Sequence, residues 1–293
     1  MKVAIYGQYY KPEDKEYLLE LFQILNQNKI EFIIEKNYYS GLQKEISLKN
    51  IQTFSSYKDL DNSFNYMITI GGDGTILRAV TFVRNSNIPI VGINTGRLGF
   101  LATVQKDEIS NAIEQLLAEN FKIKERTLLS VTTSPAIKSL KSLNFALNEV
   151  SVSRKNTASM ITINTSIDNE YLTSYWSDGL IISTPTGSTG YSLSCGGPII
   201  TPAAKNFALT PIAPHNLNAR PMVIPDDTVV TLKISGREDE FFLSLDSRIV
   251  SVNNATEVCI QKADFTLKMI HINNQTFIKT LREKLLWGHD TRN

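Results

Sequence analysis

Tyr66-Met67-Ile68-Thr69-Ile70-Gly71-Gly72-Asp73-Gly74-Thr75-Ile76-Leu77 is the stretch that decides how this chain folds. Tyr66 to Ile70 is apolar or β-branched apart from the phenol hydroxyl and reads as a buried strand, while Thr75 to Asn85 carries apolar residues at helical spacing. Between them, three glycines in four positions lift the Cβ restriction, so the backbone can take positive φ and lie close against a ligand. A helix starting near Thr75 would offer free N–H groups and a partial positive charge, both suited to phosphate. Asp73 is the one carboxylate at this turn. The stretch reads as an anion cradle carrying one base. Taken alone, a Gly-rich turn of this kind is better read as a tight strand-to-helix turn in which Asp73 caps the helix.

On the N-terminal side, Lys2 to Gly7 and Ile30 to Glu35 read as strands, with a helix over Pro12 to Asn28 that places Tyr17, Leu18, Leu21, Phe22 and Leu25 on one face. Tyr38 to Ser63 reads as a short helix plus loop. On the C-terminal side, Ile88 to Ile93 is a further strand ending in Asn94-Thr95-Gly96-Arg97-Leu98-Gly99-Phe100-Leu101, and Asp107 to Asn120 is an amphipathic helix. Strands and helices alternating in this way imply a mostly parallel sheet with helices on both faces, which binds ligands at the carboxyl ends of its strands. Gly71 to Thr75 and Asn94 to Gly99 both fall at such ends and can border one crevice.

Beyond residue 120 the pattern becomes short and β-rich: Lys122 to Thr133, Leu143 to Arg154, Met160 to Ile167, Tyr171 to Trp176, Leu180 to Ser183, Thr228 to Ser235, Phe241 to Leu245 and Val258 to Ile272. Helical periodicity returns at Phe277 to Trp287, with Phe277, Leu281 and Leu285 on one face and Trp287 a further candidate for it. The expected fold class is α/β + β: a Rossmann-like α/β domain over 1–122, a mainly antiparallel β domain over 123–272, and a C-terminal helix in 273–293 that packs back on the first domain.

At 293 residues and 42% hydrophobic, the chain can bury two moderate cores. Thirty basic against twenty-nine acidic residues leave a net charge of +1, which gives no general attraction to nucleic acid or an acidic membrane, so any phosphate binding must be local. Cys195 and Cys259 form no Cys-x-x-Cys pair, which argues against a disulfide framework or a zinc site and fits a reducing, cytoplasmic setting. Met1 to Gly7 runs directly into a charged segment, too short for a signal sequence, and no apolar run reaches transmembrane length. A soluble protein is expected.

A second dense stretch, Trp176-Ser177-Asp178-Gly179 through Ser183-Thr184-Pro185-Thr186-Gly187-Ser188-Thr189-Gly190-Tyr191-Ser192-Leu193-Ser194-Cys195-Gly196-Gly197-Pro198, lies in the β region. Small hydroxyls and exposed N–H groups can bond a base edge or a ribose without adding charge. The same run also fits a Ser/Thr-rich turn capping a short helix from about Gly187 to Ser194. Taken with Gly71 to Thr75, Asn94 to Leu101 and Asn148-Glu149, in this order and spacing, it resembles the signature set of the NAD kinases from about Ile68 to Arg248. Gly-Gly-Asp-Gly-Thr alone is shared with diacylglycerol and sphingosine kinases and, as a close variant, with phosphofructokinases. The long Asp178 to Pro198 run separates NAD kinases from those relatives.

The resemblance implies ATP-dependent phosphorylation of the adenosine-side ribose 2′-hydroxyl of NAD, giving NADP. Asp73 is then the proton acceptor, and Gly71, Gly72, Gly74 and Thr75 hold ATP. Arg78, one turn into the helix, fits either a phosphate contact or an ordinary solvated helix charge. Mg²⁺ would arrive with the nucleotide, because no carboxylate cluster in the sequence forms a metal cage of its own. Asn148 and Glu149 are implied as NAD contacts, although alternation in a continuous strand would point them to opposite faces. Phe100, Trp176, Asp178, Thr186, Thr189, Gly190, Tyr191, Ser192, Leu193 and Ser194 are carried over as nucleotide contacts on the same ground. Ala213 is a further contact, although Pro211 to His215 also fits a Pro-rich turn. His215 and Arg220 receive no role.

Three positions depart from the family pattern. Gly190 stands where the family usually has alanine, Cys195 where it often does, and Arg248 where many members have glutamine, so that its charge could favour a phosphate or alter contacts at the nicotinamide end. The family also implies a homodimer or homotetramer formed through the β domain. Two rivals remain at this point. A lipid kinase would share Asp73 but should present an apolar chute, and a non-catalytic NAD-binding module would have no need of Asp73.

Overall fold

The computed structural model describes residues 1–48, 50–156, 159–272 and 276–287. Positions 273–275 and 288–293 of the predicted C-terminal segment lie outside the described residues. The chain divides into two compact units, Met1–Glu125 with Leu267–Asn293, and Arg126–Thr266. The first unit holds β1 (Lys2–Gly7), α1 (Lys15–Gln27), β2 (Glu31–Glu35), α2 (Lys36–Leu42), β3 (Gln52–Phe54), β4 (Tyr66–Ile70), α3 (Asp73–Val83), β5 (Ile90–Asn94), β6 (Val104–Gln105) and α4 (Ile109–Leu117). Strand β7 (Lys122–Ser134) carries the chain into the second unit, which contains β8 (Phe145–Ala146), β9 (Glu149–Arg154), β10 (Ile161–Ile167), β11 (Glu170–Ser177), β12 (Gly179–Ser183), α5 (Tyr191–Ser194), β13 (Asn206–Ile212), β14 (Met222–Pro225), β15 (Val230–Ser235), β16 (Glu240–Leu245) and β17 (Arg248–Asn253). Strand β18 (Glu257–His271) returns it to the first, where α6 (Phe277–Leu285) follows.

In the first unit the strands run parallel in the order β3-β2-β1-β4-β5, and the end of β18 joins β5 in parallel through Met269 opposite Ile90. All five residues of β4 are buried, as a parallel strand covered on both faces requires. Helix α1 buries Leu18, Leu21, Phe22 and Leu25, spaced three and four apart, and α4 does the same with Ile109, Ala112, Ile113 and Leu116. These faces join Val3, Ile5, Ile34 and Ile68 of the sheet in one core. The strand order reverses at β1 and β4, and the loops after β4 and β5 rise from the carboxyl ends beside that reversal, where open α/β sheets build their ligand sites.

The second unit is antiparallel. One sheet runs β14-β13-β12-β9-β16-β17, and β11-β10-β15 pair onward to the first residues of β18. Val150, Val152, Leu180, Leu209, Phe241 and Leu243 from the first set and Ile163, Leu232 and Val258 from the second bury into a common core, the packing of a β-sandwich.

Several elements differ from the sequence reading. Helix α3 begins at Asp73, two residues earlier than expected, with Gly72 as its N-cap. Gln52–Phe54, expected as loop, pairs in parallel with β2, a ladder too short to show periodicity. The strand expected over Leu143 to Arg154 is broken at Leu147-Asn148, between β8 and β9. The expected helix over Gly187 to Ser194 divides at Gly190 into a 3-10 turn and α5. Strands β13, β14 and β17 were not expected, and Pro211 and Pro225 conceal the first two. Trp287 is 51% exposed, beyond a helix end where Leu286 turns left-handed at φ 55.

Candidate active site

Two clusters of polar groups, one in each unit, account for most of the residues singled out in the sequence. In the first unit, Gly71 has φ +140 and a Cβ there would collide with the Thr75 hydroxyl, so the turn requires glycine. Gly72 and Gly74 face open space, with nothing within 4 Å of where a Cβ would stand. Asp73 opens α3, and its carboxylate bonds forward to the loop after β5: Oδ2 accepts from the Phe100 N–H at 2.8 Å, and Oδ1 from Leu101 at 3.0 Å and Ala102 at 2.9 Å. Each carboxylate oxygen has two lone pairs, so Oδ2 retains one for a further donor.

That loop is built to receive the carboxylate. Asn94 holds it internally, accepting from the Gly96 N–H at 2.7 Å and donating to the Arg97 carbonyl at 2.8 Å. A Cβ at Gly99 would overlap Asp73 Oδ1, which explains why the glycine must stand there. The Phe100 ring packs on Phe277 of α6 with centroids 5.9 Å apart. Arg78 is exposed one turn into α3. Its charge is felt by the Tyr6 phenol, which burial pushes up to about 12 while Arg78 pulls the other way.

In the second unit, Asn148 and Glu149 stand at the break before β9 and at its first residue. A Cβ on Gly190 would lie 3.3 Å from Glu149 Oε2 and 3.4 Å from Asn148 Nδ2, so both side chains converge on Gly190. The interruption of the strand resolves the alternation problem, because Asn148 precedes the pleat and is free to turn to the same side. Asn148 Oδ1 and Glu149 Oε2 are buried without a hydrogen-bond partner. So is the hydroxyl of Ser183, which stands opposite Glu149 in the β9–β12 ladder. Burial, and then the facing Asp246 carboxylate, push the Glu149 carboxyl up to about 8. Tyr191 lies within electrostatic reach of Glu149, Asp178 and the Cys195 thiol.

The other predicted contacts in this unit have diverse settings. Asp178 is paired to Arg154 at 2.9 Å. Thr186 is buried, and its carbonyl accepts from the Thr189 hydroxyl at 3.2 Å. Ser192 is turned inward on Thr210 at 2.8 Å, whereas Leu193 is half-buried and Ser194 exposed. Trp176 lies against His215 with ring centroids 4.3 Å apart, and Ala213 is exposed at φ 43. Arg248 donates to the carbonyls of Leu143 and Phe145. Two residues that sequence reasoning passed over are central here. Gly187 lies against the Asn148 carbonyl with no room for a Cβ, and Asp246 accepts from three successive backbone amides. An acidic residue directly after the expected strand Phe241 to Leu245 was the available signal for Asp246, since a carboxylate buried there must find donors.

Among the described residues no three His, Cys, Asp or Glu side chains converge as a metal cage, and no helix is long and apolar enough to cross a membrane.

A Rossmann-like sheet that presents a glycine-framed aspartate at a helix N-terminus, followed by an antiparallel β unit, defines a nucleotide-dependent phosphotransferase. Residues 3–121 match the ATP-NAD kinase N-terminal domain and residues 147–272 the ATP-NAD kinase C-terminal domain. The chain belongs to the ATP-NAD kinase family. It is 57% identical to the NAD kinase of Flavobacterium johnsoniae and 40% identical to that of Bacteroides fragilis, with 100% of both chains covered in each case. Among solved structures, it resembles yeast NADH kinase complexed with NADH, with a TM-score of 0.89 at 23% identity over 100% of this chain and 89% of that one. It also resembles an NAD kinase from Archaeoglobus fulgidus in complex with ATP, with a TM-score of 0.75 at 24% identity over 98% of this chain and 99% of that one.

Proposed function

We propose that this kinase transfers the γ-phosphoryl group of ATP to the 2′-hydroxyl of the adenosine ribose of NAD, forming NADP and ADP. The observation that carries the reading is the pair of buried, unpartnered acceptors, Asn148 Oδ1 and Glu149 Oε2, converging on Gly190. Buried polar atoms without partners are costly, and a nucleoside supplies the missing partners as ribose hydroxyls and a base edge. Asn148 and Glu149, with Tyr191, Thr186 and Thr189 around them, then hold the adenosine, and Asp178, Trp176, Ser192, Leu193, Ser194, Ala213 and Arg248 complete the nucleotide contacts.

In the transfer, the ribose oxygen forms its bond to the γ-phosphorus as the bond to the ADP oxygen breaks. The hydroxyl proton passes to Asp73. Oδ2 is the atom for this, since it carries one N–H donor where Oδ1 carries two. Three backbone donors fix the carboxylate in place, so its first effect is to aim the hydroxyl, and the proton follows as the new bond forms in a loose transition state. Gly71 to Thr75 and the N-terminus of α3 cradle the ATP phosphates, with open space left beside Gly72 and Gly74. The single carboxylate of this turn fits a metal carried on the nucleotide rather than one caged by the protein. Mg²⁺ bound with ATP would neutralise charge on the phosphate oxygens.

A homodimer or homotetramer formed through the second unit completes the reading, in the cytoplasmic setting that the two free cysteines fit. The assembly rests on the exposed apolar residues Tyr171 of β11 and Ile249 of β17, both on edge strands open to pairing, and light scattering tests it. The decisive assay supplies the purified chain with ATP, Mg²⁺ and NAD, with NADH, diacylglycerol and sphingosine as parallel acceptors. NADP formation is expected. Product from a lipid without NADP would overturn the substrate assignment while keeping the phosphotransferase.

A further inference from the structure

Leu147, Asn148 and Glu149 have all six of their backbone polar groups tied down by two residues distant in sequence. Their N–H groups donate to one carboxylate: Leu147 to Asp246 Oδ2 at 3.0 Å, and Asn148 and Glu149 to Oδ1 at 2.8 and 3.2 Å. Their carbonyls accept from the Thr184 hydroxyl at 2.6 Å, the Thr184 N–H at 2.9 Å and the Asp246 N–H at 2.9 Å respectively. The Asp246 side chain is 3% exposed, sits in the turn between β16 and β17 at φ 51, and has the Arg248 guanidinium 3.8 Å from Oδ2. A stretch that leaves the pleat between β8 and β9 has lost its ladder partners. Here one carboxylate replaces the three acceptors that a neighbouring strand would have supplied.

We propose that Asp246 is a positioning residue for dinucleotide binding: its buried carboxylate fixes the backbone from which Asn148 and Glu149 reach the ligand. This rests on the assignment of Asn148 and Glu149 as NAD contacts. Burial holds the Asp246 carboxyl above its ordinary value, opposed by three amide donors and Arg248, and the same carboxylate faces Glu149. Glu149 has no such donors and faces that charge, so it stays largely protonated at neutral pH. Its Oε2 then presents a neutral carboxyl to the nucleotide, one that can donate a hydrogen bond as well as accept one. Tyr191 also lies within electrostatic reach of Glu149, as it does of Asp178 and Cys195, and Asp178 is ion-paired with Arg154.

The test compares the full-length wild type with Asp246→Asn in NADP formation and in NAD binding by calorimetry across pH. The amide keeps one acceptor oxygen and turns an N–H toward a backbone N–H. The KM for NAD should rise roughly tenfold or more, the size of a lost hydrogen bond to a charged acceptor, while the KM for ATP stays within about twofold. The pH inflection of NAD affinity, expected near 8 in the wild type, should move downward once the facing charge is gone. A residue that only held the fold together would lower the active fraction and leave both readouts where they were. That outcome would overturn the proposal. Where Asp246→Asn does not fold, Asp246→Glu keeps the charge but shifts the oxygens by one methylene. A raised KM for NAD in that variant supports the proposal, and an unchanged one overturns it. Wild type that forms no NADP would sink the functional reading instead, and the calorimetric comparison would still report on Asp246.

Discussion

The carboxylates of this chain perform different work because their neighbours differ. Asp73 is surrounded by N–H donors and is held as an oriented acceptor. Asp73→Asn replaces one acceptor oxygen with a donor that faces a backbone N–H. The expected result is a kcat lower by ~10²-fold or more with NAD binding retained, measured by steady-state kinetics, and unchanged turnover would remove Asp73 from its role. Glu149 has the opposite surroundings: burial first, and then a facing carboxylate, raise its carboxyl from 4.5 to about 8, and its Oε2 finds no donor among the described residues. A carboxyl whose folded value lies above its unfolded one makes the native state bind more protons than the unfolded chain between those two values. Its contribution is full below about pH 4.5 and lost as pH rises through about 8. Glu149→Gln removes the titration. Urea unfolding should therefore show the variant gaining on the wild type as pH rises, by roughly 2–5 kcal/mol from pH 5 upward, the gain levelling off about one pH unit above the Glu149 value. A difference that is flat with pH would show that Glu149 is ionised in the native protein.

At the level of elements, each unit's cluster consists of loops pinned by glycines and by a carboxylate reaching between them. Gly187 shows how tightly: a methyl group there would meet the carbonyl of Asn148, which is backbone and already bonded to Thr184. Gly187→Ala must push the Asn148 segment aside, costing ~1–3 kcal/mol as overpacked sites do. It should raise the KM for NAD in parallel, read by thermal unfolding and kinetics. The sequence made the parts of this arrangement with local signatures legible. The β4 run, the glycines and the start of α3 lie within twelve residues, and strand alternation in β10 and β15 reads directly from Ile161-Thr162-Ile163 and Val230-Thr231-Leu232. Contacts between distant segments left no such trace. The bond from Asp73 to Ala102 spans 29 positions and that from Asp246 to Leu147 spans 99, and no periodicity encodes either. The break at Leu147-Asn148 was hidden for the same reason, because it depends on Asp246 supplying acceptors that the local sequence lacks.

The whole molecule is organised by where the chain re-enters its first unit. The second unit is one continuous segment, Arg126–Thr266, whereas the first needs Leu267 onward to complete a sheet begun at Lys2. The last residues of β18 place Met269 beside Ile90, and Ile270 and Ile272 bury in the core formed by α1, α4 and the parallel strands. Leu267, Met269, Ile270, Ile272 and Leu281 are each at most 4% exposed. At about 1.5–3 kcal/mol per buried side chain they are worth as much as the ~5–15 kcal/mol by which a domain is stable at all. A chain ending at Thr266 keeps every residue of the second unit and the whole Gly71 to Thr75 turn, yet it should lose the fold of the first. Hydrogen exchange followed by mass spectrometry is the direct measurement. Amides of β9, β12 and β16 should remain protected in the truncated chain, while those of β1, β4 and β5 exchange at the rate of an unfolded segment. Protection of β4 and β5 at full-length levels would mean that the parallel sheet closes without β18. The aspartate turn would then be an independent element of the first 125 residues rather than one completed by the end of the chain.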